Sequence, residues 1–393
     1  AMYANNAFTD PGKVFYPDNN GREGLFINIV SLSFKISGAS PFSLRLVSAI
    51  IGILTVFGLF LVSKEIFSCI SDKKETINYL ALIASFFIAV SFWHVNFSRI
   101  GFRAITLPFI LVFIFYFLMR GLRNKNTILM IIAGALFGLG FYTYSSFRLS
   151  FLILPLTLLP YWILSRKEKQ QKRFIISFIA FGLAACIIVI PLALYFIGHQ
   201  ADFFGRLGDV SIFSQPNVLK AGLESLGRHL IMFNVVGDWN WRHNLSGAPE
   251  LSLIVGIFFL IGFVVAIKKL FLSIKTKNYQ SQSAYWLIFS WFCAMILPGV
   301  LTYEGLPHSL RTIGLIPVVF IFAAIGAYWL FERIKRMKRI PSLASNKKWR
   351  MYFIYIVASL LFLGLFVGET QKYFIDWAQN PEIKGAFAVN FVK

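Results

Sequence analysis

Five short stretches of this sequence collect arginine, histidine and acidic side chains, each beside a long apolar run. "GREGLF" holds Arg22 and Glu23, and "SFWHVNFSRIGFRAI" packs Trp93, His94, Asn96, Arg99 and Arg103 into residues 91–105. "YTYSSFR" carries Tyr142, Tyr144 and Arg148, "GDWNWRHN" carries Asp238, Arg242 and His243, and "TYEGLPHSLR" carries Glu304, His308 and Arg311. The planar guanidinium fork makes bidentate, charge-assisted hydrogen bonds, so arginine close to a membrane surface suits a phosphate. His308 and Arg311 are three residues apart and face the same way on a helical turn. The histidines have neither HxxxH spacing nor paired carboxylates, so no metal site built by the protein is expected. The chemistry these residue types suit is the gripping of an anionic head group.

The elements that must position them are membrane helices. The 393 residues are 57% hydrophobic and 17% aromatic, with 14% charged and a mean hydropathy of +0.69. A soluble domain carries about 25% charged residues, and apolar runs of about 20 residues suffice to cross a bilayer core. Such runs fall at 44–64, 77–97, 104–119, 126–145, 149–164, 174–198, 250–267, 283–301, 311–331 and 350–367. The expected fold class is therefore all-α, a polytopic membrane protein of about ten transmembrane helices. Residues 23–37 place Phe26, Ile29, Val30 and Phe34 on one side and read as a helix lying in the interface, with a second such helix within 217–235.

A net charge of +21 could suggest nucleic acid, but its placement argues otherwise. Lysine and arginine crowd the connections 68–76, 120–125, 165–173 and 268–282 and the segment 331–350, whereas the alternate short connections hold only Arg99, Arg103, Arg148 and Arg311. That alternation is the positive-inside signal, and it makes 1–43, 98–103, 146–148, 199–249, 302–310 and 368–393 extracytoplasmic. The expected organisation is an external loop with its interfacial helix (1–43), a six-helix part (44–198), a long external loop (199–249), a four-helix part (250–367) and an external tail (368–393). Five of the seventeen acidic residues, Glu65, Asp72, Glu75, Glu168 and Glu332, lie on the basic side; the others and all five histidines lie on the external face or at its edge. The external face is thus the expected functional one. Cys69, Cys186 and Cys293 form no disulfide framework. The opening "AMYANNAF" shows no cleavable signal peptide, and an external start leads to the expectation of a fragment that lacks its first span, with a truncated tail.

"GREGLFINIVSLSFKIS", "SFWHVNFSRIGFRAI", "YTYSSFRL", "GDWNWRHNLSGAP" and "LPHSLRTIGLIP", in this order, resemble the bacterial membrane glycosyltransferases of the protein O-mannosyltransferase and aminoarabinose transferase class, the family 39-like proteins of GT-C fold. The resemblance runs over nearly the whole chain. It implies an inverting glycosyltransferase of the cell membrane, with its active site facing outside, that moves a sugar from a polyprenyl-phosphate carrier to an extracytoplasmic acceptor. It places Arg22 and Glu23 at the carrier phosphate, His94 and Arg99 at the family's histidine–arginine turn, and His308 and Arg311 in its "PHSLR" element. The family's catalytic aspartate belongs to an Asp-Glu pair directly after the first span. This sequence has no such pair, so the aspartate is expected upstream of Ala1, with Asp10 and Glu23 as the carboxylates that remain.

In that chemistry a carboxylate takes the proton of the acceptor hydroxyl, and preset cations stabilise the departing phosphate. The substrate-binding set then comprises Arg22, Glu23, His94, Arg99, Tyr142, Tyr144, Arg148, Asp238, Arg242, His243, Glu304, His308 and Arg311. Arg99 and His94 read as a phosphate clamp. Arg103 and Arg45 read as snorkelling to lipid head groups, and His199 and His229 as loop histidines. Asp238 and Arg242 read either as a pair that folds the loop or as site residues. Tyr142, Tyr144 and Trp93 read as interfacial belt aromatics or as sugar platforms. No cofactor is expected, with a divalent cation left open, and the expected partners are the lipid-linked donor, an acceptor and membrane lipids. The competing classes are a lipid-linked sugar flippase or transporter and an inactive scaffold. Nearly charge-free span centres and the lack of a repeat weigh against transport.

Overall fold

The structure, a computed structural model, describes residues 12–17, 21–204, 210–336 and 347–387. Asp10 and Asp18 lie outside them. The described chain opens with a two-stranded antiparallel hairpin, β1 (Phe15–Tyr16) and β2 (Arg22–Glu23), in which Phe15 pairs with Glu23 and Tyr16 with Arg22. Helices follow: α1 (Gly24–Ser37), α2 (Pro41–Ser68), α3 (Lys74–Val90), α4 (Phe92–Arg99), α5 (Thr106–Asn124), α6 (Thr127–Gly140), α7 (Ile153–Lys167), α8 (Gln171–Gly198), α9 (Gln200–Phe204), α10 (Val218–Ile231), α11 (Leu253–Lys275), α12 (Tyr279–Val300), α13 (Ile316–Arg336), α14 (Lys347–Gln371) and α15 (Glu382–Ala386). The all-α class holds, with the short hairpin added.

Among the described residues, eight helical segments are long and apolar enough to cross a membrane, and the bent pair α3–α4 makes a ninth. The expected span 126–145 is shorter than read. Its helix α6 stops at Gly140 after 14 residues, about 21 Å at 1.5 Å per residue, because Gly140 packs directly on the Phe147 ring and the chain turns there. The expected span 77–97 is not straight either, breaking by 57° between Val90 and Phe92. A break leaves carbonyl and amide groups without helical partners. Here His94 hydrogen-bonds the Ile88 backbone, and the Phe92 N–H donates to Glu369 Oε2 at 2.7 Å. The last span runs to Trp377, ten residues past its expected end.

Burial sorts the helices into layers. The α5 and α13 spans are 78% buried, whereas the α8 span is 17% and the α14 span 11% buried, so the former are the core and the latter the lipid-facing rim. Against α13, α11 approaches through paired glycines: a Cβ on Gly262 would lie 1.8 Å from the Phe322 carbonyl oxygen, and one on Gly326 would lie 1.9 Å from that of Phe258. On α1 the buried stripe is Phe26, Ile27, Val30 and Phe34, and Ile29 is exposed, because four-residue steps from Phe26 pass through Val30 and miss Ile29. In the long loop α10 ends at Ile231, short of the expected 235, where Met232 and Phe233 turn into the core.

At the basic end three hairpins turn on left-handed lysines, Lys125, Lys169 and Lys277, with φ near +54 to +55°. Asn126 and Asn278 then cap α6 and α12 with their side chains. The tight turns keep neighbouring helices antiparallel, so the segments rich in His, Asp and Tyr emerge together at the opposite end. Gly262→Val should separate α11 from α13 and lower stability by at least about 3 kcal/mol, read as a fall in Tm in detergent; an unchanged Tm would show that the glycine contact carries no weight.

Candidate active site

Arg22 and Glu23 are presented by the hairpin, whose second strand runs straight into α1. Glu23 is 3% exposed and forms a salt bridge with Arg103, so Arg103 does not snorkel to lipid. Its guanidinium also lies 5.3 Å from the centre of the Tyr144 ring. Burial raises the Tyr144 pKa, Arg103, Arg311 and Arg22 pull it down, and Glu23 pushes it up. Tyr144 therefore carries Arg103 on its ring and lies within the field of Arg311 and Arg22. Arg148 stands nearby, within the field of Glu23 and Arg103, and its guanidinium donates to the Phe203 carbonyl (2.7 Å) and stacks on that ring.

Beside this arginine group lies a carboxylate–imidazole cluster. Asp238 Oδ2 accepts the Ser309 N–H (2.8 Å) and faces His243 Nδ1 at 3.0 Å and His308 Nδ1 at 3.8 Å, while Oδ1 accepts the Asn240 N–H (2.8 Å). Burial opposes the Asp238 charge, but the His243 hydrogen bond, the two imidazoles and the Asn240 amide outweigh it and hold the carboxyl below its usual pKa. Burial, then Arg311 and His243, push His308 well below the usual histidine range, so it stands neutral at pH 7. His229 sits behind it: its Nδ1 faces the Ser225 carbonyl at 2.8 Å, and its Nε2 accepts the His308 N–H at 3.2 Å. Arg311 donates to Thr302 Oγ1, to the Glu304 carbonyl and to Glu304 Oε2. It acts on the pKa of both Tyr144 and His308, joining the two halves.

One ligand atom each from Asp238, His243 and His308 lies within 4.8 Å of the others, close enough to share a cation. Among the described residues this is the grouping of that kind, and the sequence spacing gave no hint of it.

The remaining expected residues fall elsewhere. His94 is 3% exposed and turned into the bundle, and the Arg99 guanidinium packs on the Tyr373 and Phe374 rings. Neither joins the arginine group about Tyr144. The Tyr142 hydroxyl donates to the Ile188 carbonyl and accepts the Leu192 N–H, bridging α8 beside Pro191. Arg242 is exposed and does not pair with Asp238; its carbonyl, with that of His243, accepts from Asn96 Nδ2. His199 stacks on Tyr195. Arg103, read as a lipid anchor, and His229, read as a loop histidine, belong to the site region instead, and Glu250 and Ser309 were not singled out in the sequence. His229 had a signal, since Ala221, Ser225 and His229 form one buried stripe of α10 at four-residue spacing.

With this geometry in hand, comparison with known proteins becomes decisive. The family model for dolichyl-phosphate-mannose-protein mannosyltransferases matches residues 25–195. The crystal structure of ArnT from Cupriavidus metallidurans bound to undecaprenyl phosphate aligns at a TM-score of 0.52 and 12% identity, covering 95% of this chain and 67% of that one. Over residues 25–195 the chain is thus similar to that mannosyltransferase family, and its fold is the GT-C fold of the ArnT structure. Its arginine and imidazole groups stand on that fold, at one end of its multi-pass helices. No curated protein matches at the level of sequence.

Two outcomes test this electrostatic arrangement. Arg103→Ala leaves Glu23 buried without its cation and should lower stability by about 3 kcal/mol, whereas Arg103→Ala combined with Glu23→Gln should recover much of the loss; equal Tm values for the two variants would contradict the pairing. Burial, opposed by the Ser309 hydroxyl and reinforced by Asp238, raises the Glu250 pKa to about 8. The folded chain then holds a proton that the unfolded chain releases near pH 4.5, so this contribution is full below pH 4.5 and is lost as pH rises towards 8. Glu250→Gln should flatten the fall of Tm across that interval, and an unaltered slope would refute it.

Proposed function

We propose that this chain transfers a sugar from a polyprenyl-phosphate carrier to a hydroxyl acceptor, with inversion, on the membrane face opposite its basic connections. The observation that carries this reading is Arg103 packed on the Tyr144 ring, with Arg311 near enough to act on both Tyr144 and His308 of the Asp238–His243–His308 cluster. A carrier phosphate leaves the sugar as a dianion, and preset guanidinium groups stabilise that charge without reorganising. The isoprenoid tail stays in the bilayer beside the apolar helices, which is why such a site belongs at the end of a helix bundle. Lysine and arginine at the other end set that end towards the cytoplasm, so the donor is met outside it. The likeness to a structure bound to undecaprenyl phosphate supports the carrier class.

The residues divide the work. Arg103, tied to Glu23 and packed on Tyr144, and Arg311, tied to Glu304, bind the phosphate. Neutral His308 stands 3.8 Å from Asp238. An attacking hydroxyl gives up its proton to a carboxylate as it reaches the anomeric carbon from the face opposite the phosphate. Besides Glu23, which pairs with Arg103, the carboxylates at this group are Glu304, paired with Arg311, and Asp238, beside His308.

The test is transfer of radiolabel from an undecaprenyl-phosphate sugar by the chain in nanodiscs. Arg311→Ala should lower the rate about a hundredfold, and Arg99→Ala should leave it within about threefold of the parent. A parent chain that moves no label, or an Arg311→Ala variant that matches it, would remove the proposal.

A further inference from the structure

The hydrogen bonds around Asp238 close on themselves. Its Oδ2 accepts the Ser309 N–H, the Ser309 hydroxyl donates to Glu250 Oε1, and that same oxygen accepts the Asp238 N–H at 3.1 Å. Ser309 directly follows His308, so the closed set spans the two segments that bring Asp238 and His308 together. His308 Nδ1 lies 3.8 Å from Asp238 Oδ2, too far for a hydrogen bond. Their spacing is therefore held by the backbone behind them. Glu250 is 1% exposed and offers nothing to a substrate.

We propose that Glu250 is a positioning residue. By gripping the Asp238 backbone and the Ser309 hydroxyl with one oxygen, it fixes the separation and aim of the Asp238 carboxylate and the His308 ring. The inference rests on the reading of this cluster as part of the sugar-transfer site.

The surroundings fit that role. A Cβ on Gly237 would lie 2.9 Å from Glu250 Oε1 and 2.2 Å from the Ala248 carbonyl oxygen, so the loop closes tightly onto the carboxyl only because residue 237 has no side chain. Lys372 donates to the carbonyl of Pro249, the preceding residue, at 3.0 Å and so anchors the segment from the C-terminal side. Through Ser309 the grip also passes to Thr312, whose hydroxyl points to the His308 carbonyl at 3.1 Å and so holds the turn on which His308 stands. A residue that merely filled space would need no oxygen at that position. A positioning residue needs the acceptor oxygen and not the charge.

The experiment uses the full chain in nanodiscs with ¹⁵N-labelled histidine, whose ring signals report the five sites directly. Glu250→Ala and Ser309→Ala should shift the His308 and His243 signals and leave those of His94 and His199 in place. In the transfer assay both variants should lose about tenfold in kcat, with little change in KM for the undecaprenyl-phosphate sugar. Glu250→Gln keeps the acceptor oxygen and should restore signals and rate together. A folded Glu250→Ala chain with parental His308 and His243 signals overturns the proposal, as does a Glu250→Gln chain as perturbed as Glu250→Ala. Should Glu250→Ala fail to fold, Ser309→Ala with unmoved signals has the same force. A parent chain that transfers no sugar while its histidine signals respond as stated would end the functional reading and leave the positioning role standing.

Discussion

A charge set at the end of an apolar bundle must be paired or it will draw water or a proton. That constraint shapes the whole functional end of this protein. Arg103 meets Glu23, Arg311 meets Glu304, and Asp238 is surrounded by two imidazoles and two backbone amides. None of these pairs would add much if fully exposed, because water screens it. The Arg103–Glu23 pair and the Asp238 cluster are buried and fix the groups they join, whereas Glu304 lies at the exposed edge. One carboxylate occupies only part of a five-donor guanidinium fork.

The segments that carry these groups are long in sequence and have little regular structure, so they are held from outside. Asn96 on α4 reaches the carbonyls of Arg242 and His243, and the Trp377 indole N–H reaches that of Trp241. Phe92, Tyr373 and Trp377 pack together beneath these contacts. The bend after Val90 therefore has a physical use. It turns α4 across the bundle end, where its Asn96 face meets the loop and the turn between α4 and α5 brings Arg103 to Glu23. Two arginines four residues apart thus end in different surroundings, Arg99 over aromatic rings and Arg103 in the arginine group.

Much of the architecture could be read directly from the sequence. Apolar length marked the spans, and the alternation of basic connections marked which ends share a side, because bilayer thickness and charge act on local composition. The errors share one cause. The straight span at 77–97, the full-length helix at 126–145 and the early end at 367 were judged by hydropathy, which does not register where a packed glycine or a capping contact breaks a helix. At the site, the residue types were legible and the partnerships were not. Arg103 looked like a lipid anchor until Glu23, eighty positions earlier, was found beside it, and His229 looked like a loop residue although it backs His308.

The sequence alone determined that the chain crosses the membrane many times and that arginine, histidine and carboxylate gather beside the ends of its spans. These follow from solvation, which each segment obeys independently of the rest. Only the tertiary structure decided that Arg103 rather than Arg99 meets Tyr144, that His308 joins Asp238, and that Glu250 stands behind them. Those relations are set by helix crossings between residues tens to hundreds of positions apart, and no local pattern records such a distance.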